Sequence, residues 1–145
     1  MTPRKGPGFF RWEIGGHLGS QIGGTAWLIL MGFGEMFFNI VPGLIWVLCG
    51  VVPNVIGTMI WNRRDRIAPY PATQILLAIT MLAAMAAMVT SYTYERWGGM
   101  RVADWDGLKS VWLVLLILPV IMVVFHFLEM NTLRKNQIAV DDQSE

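Results

Sequence analysis

The feature that most constrains this chain is a pair of long apolar stretches that contain no Asp, Glu, Lys or Arg. They cover residues 75–92 and 111–128, and His126 is the only side chain in them that could carry a positive charge. A helix needs about 20 consecutive, mostly apolar residues to cross the hydrocarbon core of a bilayer. Both stretches are therefore predicted to be transmembrane helices, and the chain is predicted to be an integral membrane protein in contact with the lipid bilayer.

The composition points to the same class of protein. Charged residues make up 14% of the chain and hydrophobic residues 54%, whereas a soluble domain usually carries about 25% charged residues. The net charge of +1, without a long basic stretch, argues against a nucleic-acid-binding protein. The single cysteine, Cys49, excludes a disulfide framework and a Cys-based zinc cluster within one chain.

A third apolar region, residues 15–61, is too long for one spanning helix. Near its middle lies the sequence Asn39-Ile-Val-Pro42-Gly43, which is typical of a turn. Proline suits the first turn of a helix better than its interior, because it lacks an N–H and its ring clashes with the preceding turn. We therefore predict two spans, 18–38 and 44–61, joined by a tight hairpin; a re-entrant loop is the alternative.

The distribution of basic residues favours four spans with both termini in the cytoplasm. Eight basic residues then lie on one side and three on the other, which is the bias expected when the first side is cytoplasmic. The eight are Arg4, Lys5, Arg11, Arg63, Arg64, Arg66, Arg134 and Lys135, and the three are Arg96, Arg101 and Lys109. The compact loops and this bias predict a bacterial inner membrane protein.

The predicted fold is thus an all-α, four-span helical bundle with spans 18–38, 44–61, 75–92 and 111–128. It occupies residues 18–130, between a basic and aromatic interfacial segment (1–17) and a solvated C-terminal tail (131–145). Tryptophan favours membrane interfaces because its ring is amphipathic. Five tryptophans fall near predicted span ends and are expected to be interfacial anchors: Trp12, Trp61, Trp97, Trp105 and Trp112.

Glycines at four-residue spacing mark one face of the first span. Gly15, Gly19 and Gly23 lie on this face, and Gly34 continues it. Such a face lets helix backbones approach closely in lipid. We expect these glycines to pack against a neighbouring span of the same chain. Alternatively, they form the contact between two subunits, or they line a pore or a cofactor crevice.

Five polar residues are predicted to form a layer near the cytoplasmic ends of the spans. His126 and Glu129 are three residues apart on the last span, His17 and Gln21 begin the first, and Gln74 begins the third. Ionisable groups at membrane depth are costly and therefore become functional candidates. The favoured interpretation is structural, with Glu129 in an interfacial salt bridge to Arg134. A proton or ion pathway, and a metal, haem or quinone site that uses the histidines, are the alternatives.

Glu35 lies one turn before the predicted hairpin, at the opposite end of the first span. We expect it to pair with Arg96 or Arg101 across the outer surface. The alternative is a cation-binding carboxylate at a pore mouth or in a transport path.

No catalytic motif is present, so the sequence does not predict an enzyme. It also predicts no particular cofactor. Haem or quinone binding at the histidines is an alternative, and so is Cu(I) binding at the methionine stripe Met81, Met85 and Met88. The predicted function is assembly through helix–helix contacts, as a homo-oligomer or as an accessory subunit of a larger membrane complex. A small channel or transporter using Glu35 and the inner polar layer, and a haem- or quinone-binding anchor, are the alternatives.

Overall fold

Four helices form the computed structural model, which describes the backbone of residues 8–98 and 105–141 and the side chains of residues 8–94, 113 and 115–137. They are α1 (Ile14–Met36), α2 (Ile40–Asn62), α3 (Pro69–Gly98) and α4 (Trp105–Asp141). Each helix contains one predicted span, apart from residues 37 and 38, which fall in the turn after α1. The all-helical class predicted from the sequence is confirmed for the described residues.

Three of the helices are long and apolar enough to cross a membrane. The segments are Ile40–Asn62, Pro69–Tyr94 and Leu115–Gln137, which supports the predicted membrane localisation. α1 is 23 residues long but is not among them. Its seven glycines and its polar side chains, such as Gln21 and Glu35, lower its mean hydropathy.

A three-residue turn joins α1 to α2, at the place where the sequence predicts one. Asn39 is the N-cap residue of α2, and its side-chain oxygen accepts a hydrogen bond of 3.1 Å from the Val41 N–H. Asparagine is among the best N-cap residues because its side chain satisfies an amide that has no partner within the helix. Pro42 falls in the first turn of α2, where its missing N–H costs little.

The helices pack mainly in chain order. α1 packs along α2, α2 against α3 and α3 against α4, while α1 also touches α3. Within the described residues, no Cα atom of α1 comes within 8 Å of a Cα atom of α4. The backbones of the first and last helices therefore do not pack directly against each other in this part of the chain.

All four helices contribute to one apolar core. Its largest member is Trp46 of α2, which is 1% exposed and donates a hydrogen bond of 2.7 Å from its indole Nε1 to Ser91 Oγ of α3. The other core residues are Leu28, Ala84, Ala87, Met88, Leu115 and Leu118. Small alanines on α3 let the neighbouring helices approach closely around the one large indole ring.

The contact between α1 and α2 depends on glycines of α2 at seven-residue spacing: Gly43, Gly50 and Gly57. A Cβ at Gly43 would lie 2.7 Å from the Met36 backbone nitrogen, and one at Gly50 would lie 3.2 Å from the Ile29 backbone nitrogen. Such distances are too short for ordinary Cβ contacts, so only glycine allows this approach of the two backbones.

Helix α4 continues beyond its predicted span. It runs to Asp141 and so includes most of the segment predicted to be a C-terminal tail, residues 131–145. The side chains described in its last turns, such as Arg134 and Lys135, are exposed.

Candidate functional site

A polar seam lies in the contact between α1 and α2. The Asn54 side-chain nitrogen donates to Thr25 Oγ1 at 2.6 Å and to the Gly50 carbonyl at 2.8 Å. In return, the Gln21 side-chain nitrogen donates to the Asn54 carbonyl at 3.2 Å. Buried polar groups in lipid are stable when they find such partners. Pro53, which precedes Asn54, lies inside α2 without ending the helix.

His17 lies between two tryptophans at the end of this seam where α1 begins, the end that we call the inner end. Its ring centroid is 5.0 Å from that of Trp61 and 5.4 Å from that of Trp12. Its Nε2 lies 3.2 Å from the Gly57 carbonyl oxygen. A carbonyl can only accept, so Nε2 carries the proton in this contact. The environment is that of a packed aromatic cluster.

A strap formed by residues 8–13 crosses the inner end of the bundle. The Trp12 indole nitrogen donates to the Ile67 carbonyl at 3.0 Å, in the connection between α2 and α3. The Phe10 ring lies 5.1 Å from Phe125 of α4 and 5.9 Å from Tyr70 of α3, between ring centroids. The aromatic residues that the sequence assigns to the membrane surface thus pack on the protein itself.

Glu129 holds the strap to α4. Its Oε2 accepts hydrogen bonds from the Phe9 amide at 2.8 Å and the Phe10 amide at 3.3 Å, and the residue is only 8% exposed. A Cβ at Gly8 would overlap the carboxylate, so a larger residue there would require the Glu129 side chain to move. The predicted salt bridge to Arg134 is wrong for the described residues: the carboxylate faces backbone amides, which compensate its burial.

His126 does not share partners with His17. Its Nδ1 lies 2.8 Å from the Tyr70 hydroxyl, and its own side chain is exposed. The Tyr70 hydroxyl donates to Nδ1 or accepts from it, according to the tautomer of the imidazole. The structure therefore does not bring the two histidines into one constellation. Among the described residues, no three His, Cys, Asp or Glu side chains are close enough together to hold a metal ion.

Glu35 is 5% exposed, near the end of α1 opposite the strap. Its backbone carbonyl accepts hydrogen bonds from Phe38 and Asn39, at 2.9 and 2.8 Å, and so helps to form the turn. The side chains of Arg96 and Arg101, its predicted partners, lie outside the described residues.

The glycines predicted to pack within the chain lie instead on an open face. A Cβ added to Gly15, Gly19, Gly23 or Gly34 would meet nothing within 4 Å. These positions lie on the side of α1 opposite the residues that face the bundle, namely Gln21, Thr25, Leu28 and Gly32. The packing within the chain that the sequence favours for them is therefore absent from the described residues. We call this surface the glycine face.

An open groove runs beside the glycine face, between α1 and α2. Its volume is about 540 Å³, and its lining is almost entirely apolar. The lining residues are Ile22, Thr25, Ala26, Ile29, Leu30, Val51, Asn54, Val55 and Thr58. Ile22 and Leu30 are 60% and 69% exposed, so the groove and the glycine face form one continuous uncovered surface.

The other predicted residues are distributed through the structure. Trp12 and Trp61 lie 5.7 Å apart, between ring centroids, in the inner aromatic cluster. Trp97, Trp105 and Trp112 have side chains outside the described residues. In the methionine stripe, Met88 is buried in the core at 1% exposure and Met85 is 40% exposed, so the structure does not turn the stripe toward one site.

The sequence analysis missed two features. The glycines of α2 were detectable as a repeat at positions 43, 50 and 57, a seven-residue period that keeps them on one helix face. No local signal connects Gly8 and Phe9 with Glu129, because 120 residues separate Phe9 from that carboxylate.

Comparison with protein families, with curated proteins and with solved structures finds no match to this chain.

Proposed function

We propose that this protein works by helix–helix assembly in the membrane, and that a second copy of the chain packs on the glycine face of α1. The observation that carries the proposal is that Gly15, Gly19, Gly23 and Gly34 contact nothing in the described chain. Glycine costs about 1 kcal/mol relative to alanine in a soluble helix, so a run of unused glycines is unfavourable for a helix that only faces lipid.

A second copy fits this surface for three reasons. Glycines at four-residue spacing form a shallow groove that pairs well with an identical groove, as in a two-fold symmetric dimer. Exposed side chains beside the face, such as Ile22, Leu30 and Phe33, could enter the partner's groove between α1 and α2. Covering α1 would also shield the helix that is least suited to lipid by its hydropathy.

The contacts between α1 and α2 within one chain support a topology of four spans. Gln21 lies against Gly57 at one end of α2, and Met36 lies against Gly43 at the other. α1 therefore follows α2 over most of its length, and a helix paired in this way with a spanning helix spans as well. Four spans put most of the basic residues on one side of the membrane together with both termini. We therefore propose that both termini are cytoplasmic and that the protein lies in a bacterial inner membrane.

The alternatives receive less support. A channel or transporter would need water or ions in the inner polar layer, but Glu129 accepts from the strap backbone, and His17 and the Gln21 side-chain nitrogen contact carbonyls of α2. A haem or quinone anchor built on His17 and His126 would need both imidazoles at one site, and they contact different partners. The nearest alternative is that the protein is an accessory subunit of a larger complex, in which a helix of another protein packs on the glycine face.

The test is energy transfer between donor- and acceptor-labelled copies in liposomes, measured as the ratio of protein to lipid falls. We expect the wild type to associate, and Gly19→Leu and Gly23→Leu to lose association while they keep the helical content of the wild type. Ala86→Leu is the matched control, since it makes a comparable change on an exposed face of α3. A wild type that is monomeric throughout, or variants that associate as well as the wild type, would refute the proposal. Native mass spectrometry of protein purified gently from its own membrane would then show whether larger subunits accompany it.

A further inference from the structure

A second site lies on the opposite side of α1 from the glycine face. It is a partly open cavity of about 80 Å³, and all four helices contribute to its lining. The lining residues are His17, Ser20, Gln21, Gly24, Thr25, Pro53, Thr73, Leu76, Leu77, Thr80, Leu118 and Phe125. From Thr73 to Thr80 the cavity follows α3 for about 10 Å.

Thr80 is the unusual residue of this cavity. Five other helical threonines, Thr25, Thr58, Thr73, Thr90 and Thr132, each donate their hydroxyl to the carbonyl four residues earlier. The Thr80 hydroxyl makes no hydrogen bond to any described residue, although the side chain is only 6% exposed and lines the cavity. The side chain is therefore enclosed by the protein, and any partner of its hydroxyl must come from what occupies the cavity.

Gln21 offers the complementary group. Its side-chain nitrogen donates to the Asn54 carbonyl, but its side-chain oxygen accepts nothing from the described residues. The cavity therefore contains an acceptor at Gln21 and a group at Thr80 that both donates and accepts. An alcohol hydroxyl is complementary to each of them, because it both donates and accepts.

The charge of the lining restricts the ligand further. No Asp, Glu, Lys or Arg is among the cavity residues described, and most of the exposed lining surface is apolar although half of the lining residues have polar side chains. An ion in such a cavity would lose its hydration without a compensating charge. The ligand is therefore uncharged and largely apolar, with one hydroxyl head.

Access comes from the lipid. At the inner end the strap lies over the cavity residues, with Trp12 against His17 and Phe10 against Phe125. On the flank, no Cα atom of α1 comes within 8 Å of one of α4 in the described residues. Because the cavity is partly open, we infer that its mouth faces the bilayer between these two helices, so that a small polar head enters the cavity and an attached hydrocarbon chain stays in the lipid.

We propose that this cavity binds the hydroxyl head of an uncharged, membrane-soluble alcohol, with Gln21 and Thr80 as its hydrogen-bonding groups. The proposal does not depend on assembly through the glycine face, because the two surfaces lie on opposite sides of α1.

The experiment is photolabelling of the full-length protein in nanodiscs with an octanol derivative that carries a diazirine, followed by peptide mapping. We expect labels on cavity residues such as Leu77 and Leu118. Decanol should protect these residues, while decane, which lacks the hydroxyl, and 2-decanone, which cannot donate, should not.

Thr80→Val removes the hydroxyl and keeps the side-chain shape, so it should reduce cavity labelling by about fivefold. This is the loss of affinity expected when one hydrogen bond of modest strength is removed. Thr90→Val is the matched control on the same helix, since the Thr90 hydroxyl bonds to the Ala86 carbonyl and does not line the cavity. Gly24→Leu fills the cavity from a position where an added Cβ meets nothing within 4 Å, and it should also abolish labelling. Labels spread evenly over lipid-facing residues, equal protection by decane, or unchanged labelling in Thr80→Val would overturn the proposal and leave a cavity that holds water only.

Discussion

The strap at the inner end of the bundle gives the prediction with the clearest magnitude. The Glu129 carboxylate accepts the Phe9 and Phe10 amides, and its burial excludes most competing water. A hydrogen bond to a charged group contributes about 1.5–3 kcal/mol. Replacing Glu129 with alanine should therefore increase the exchange rate of these two amides by about 10- to 140-fold, since 1.4 kcal/mol corresponds to a factor of about ten.

The assay is hydrogen–deuterium exchange in nanodiscs, with a peptide that covers residues 8–12. Glu129→Gln keeps an oxygen acceptor and loses the charge, so its exchange rate should fall between those of the wild type and Glu129→Ala. Glu13→Ala is the control, because Glu13 is exposed at the start of α1 and its side chain makes no capping hydrogen bond. Equal exchange in the wild type and Glu129→Ala would show that the carboxylate does not hold the strap.

Three further predictions concern the packing of the bundle. Gly50→Leu should separate α1 from α2 and lower the thermal unfolding midpoint in detergent, because Gly50 is packed against α1. Gly23→Leu should leave the midpoint of the monomer unchanged, because an added Cβ at Gly23 meets nothing within 4 Å. Ser91→Ala should destabilise the protein by about 1 kcal/mol in a reversible unfolding assay, because it removes the hydrogen-bond acceptor of the buried Trp46 indole. An unchanged stability would show that this hydrogen bond does not stabilise the bundle. Asn54→Leu should destabilise by a similar amount, about 1 kcal/mol, because it removes two side-chain hydrogen bonds; a more stable variant would show that the polar seam is not needed for folding.

Much of the fold could be predicted because it follows from local signals. The apolar stretches mark α3 and α4, and Asn39 with Pro42 marks the turn that separates α1 from α2. These signals depend on a few neighbouring residues, through N-capping and through the restrictions that proline imposes. The length of α4 could not be predicted in the same way, since its last turns are polar and resemble a solvated tail.

The candidate site was harder to predict because its contacts join distant parts of the chain. Glycine spacing shows that a helix has a small face but does not show which partner covers it: Gly43 and Gly50 pack within the chain, while Gly19 and Gly23 do not. Similarly, an acidic residue near Arg134 suggests a salt bridge, although the carboxylate of Glu129 instead reaches the backbone of the strap. Only the three-dimensional arrangement distinguishes these outcomes.

The central claim, assembly through the glycine face, is tested most directly by cysteine cross-linking in liposomes. Cys49, the only cysteine, is first replaced by serine, and a single cysteine is then placed at position 23 on the glycine face or at position 86 on the exposed face of α3. A disulfide requires Cα atoms within about 7 Å of each other. The account predicts that mild oxidation yields a cross-linked dimer of the Gly23→Cys protein and little from Ala86→Cys. No dimer at position 23, or equal dimer from both positions, would contradict it.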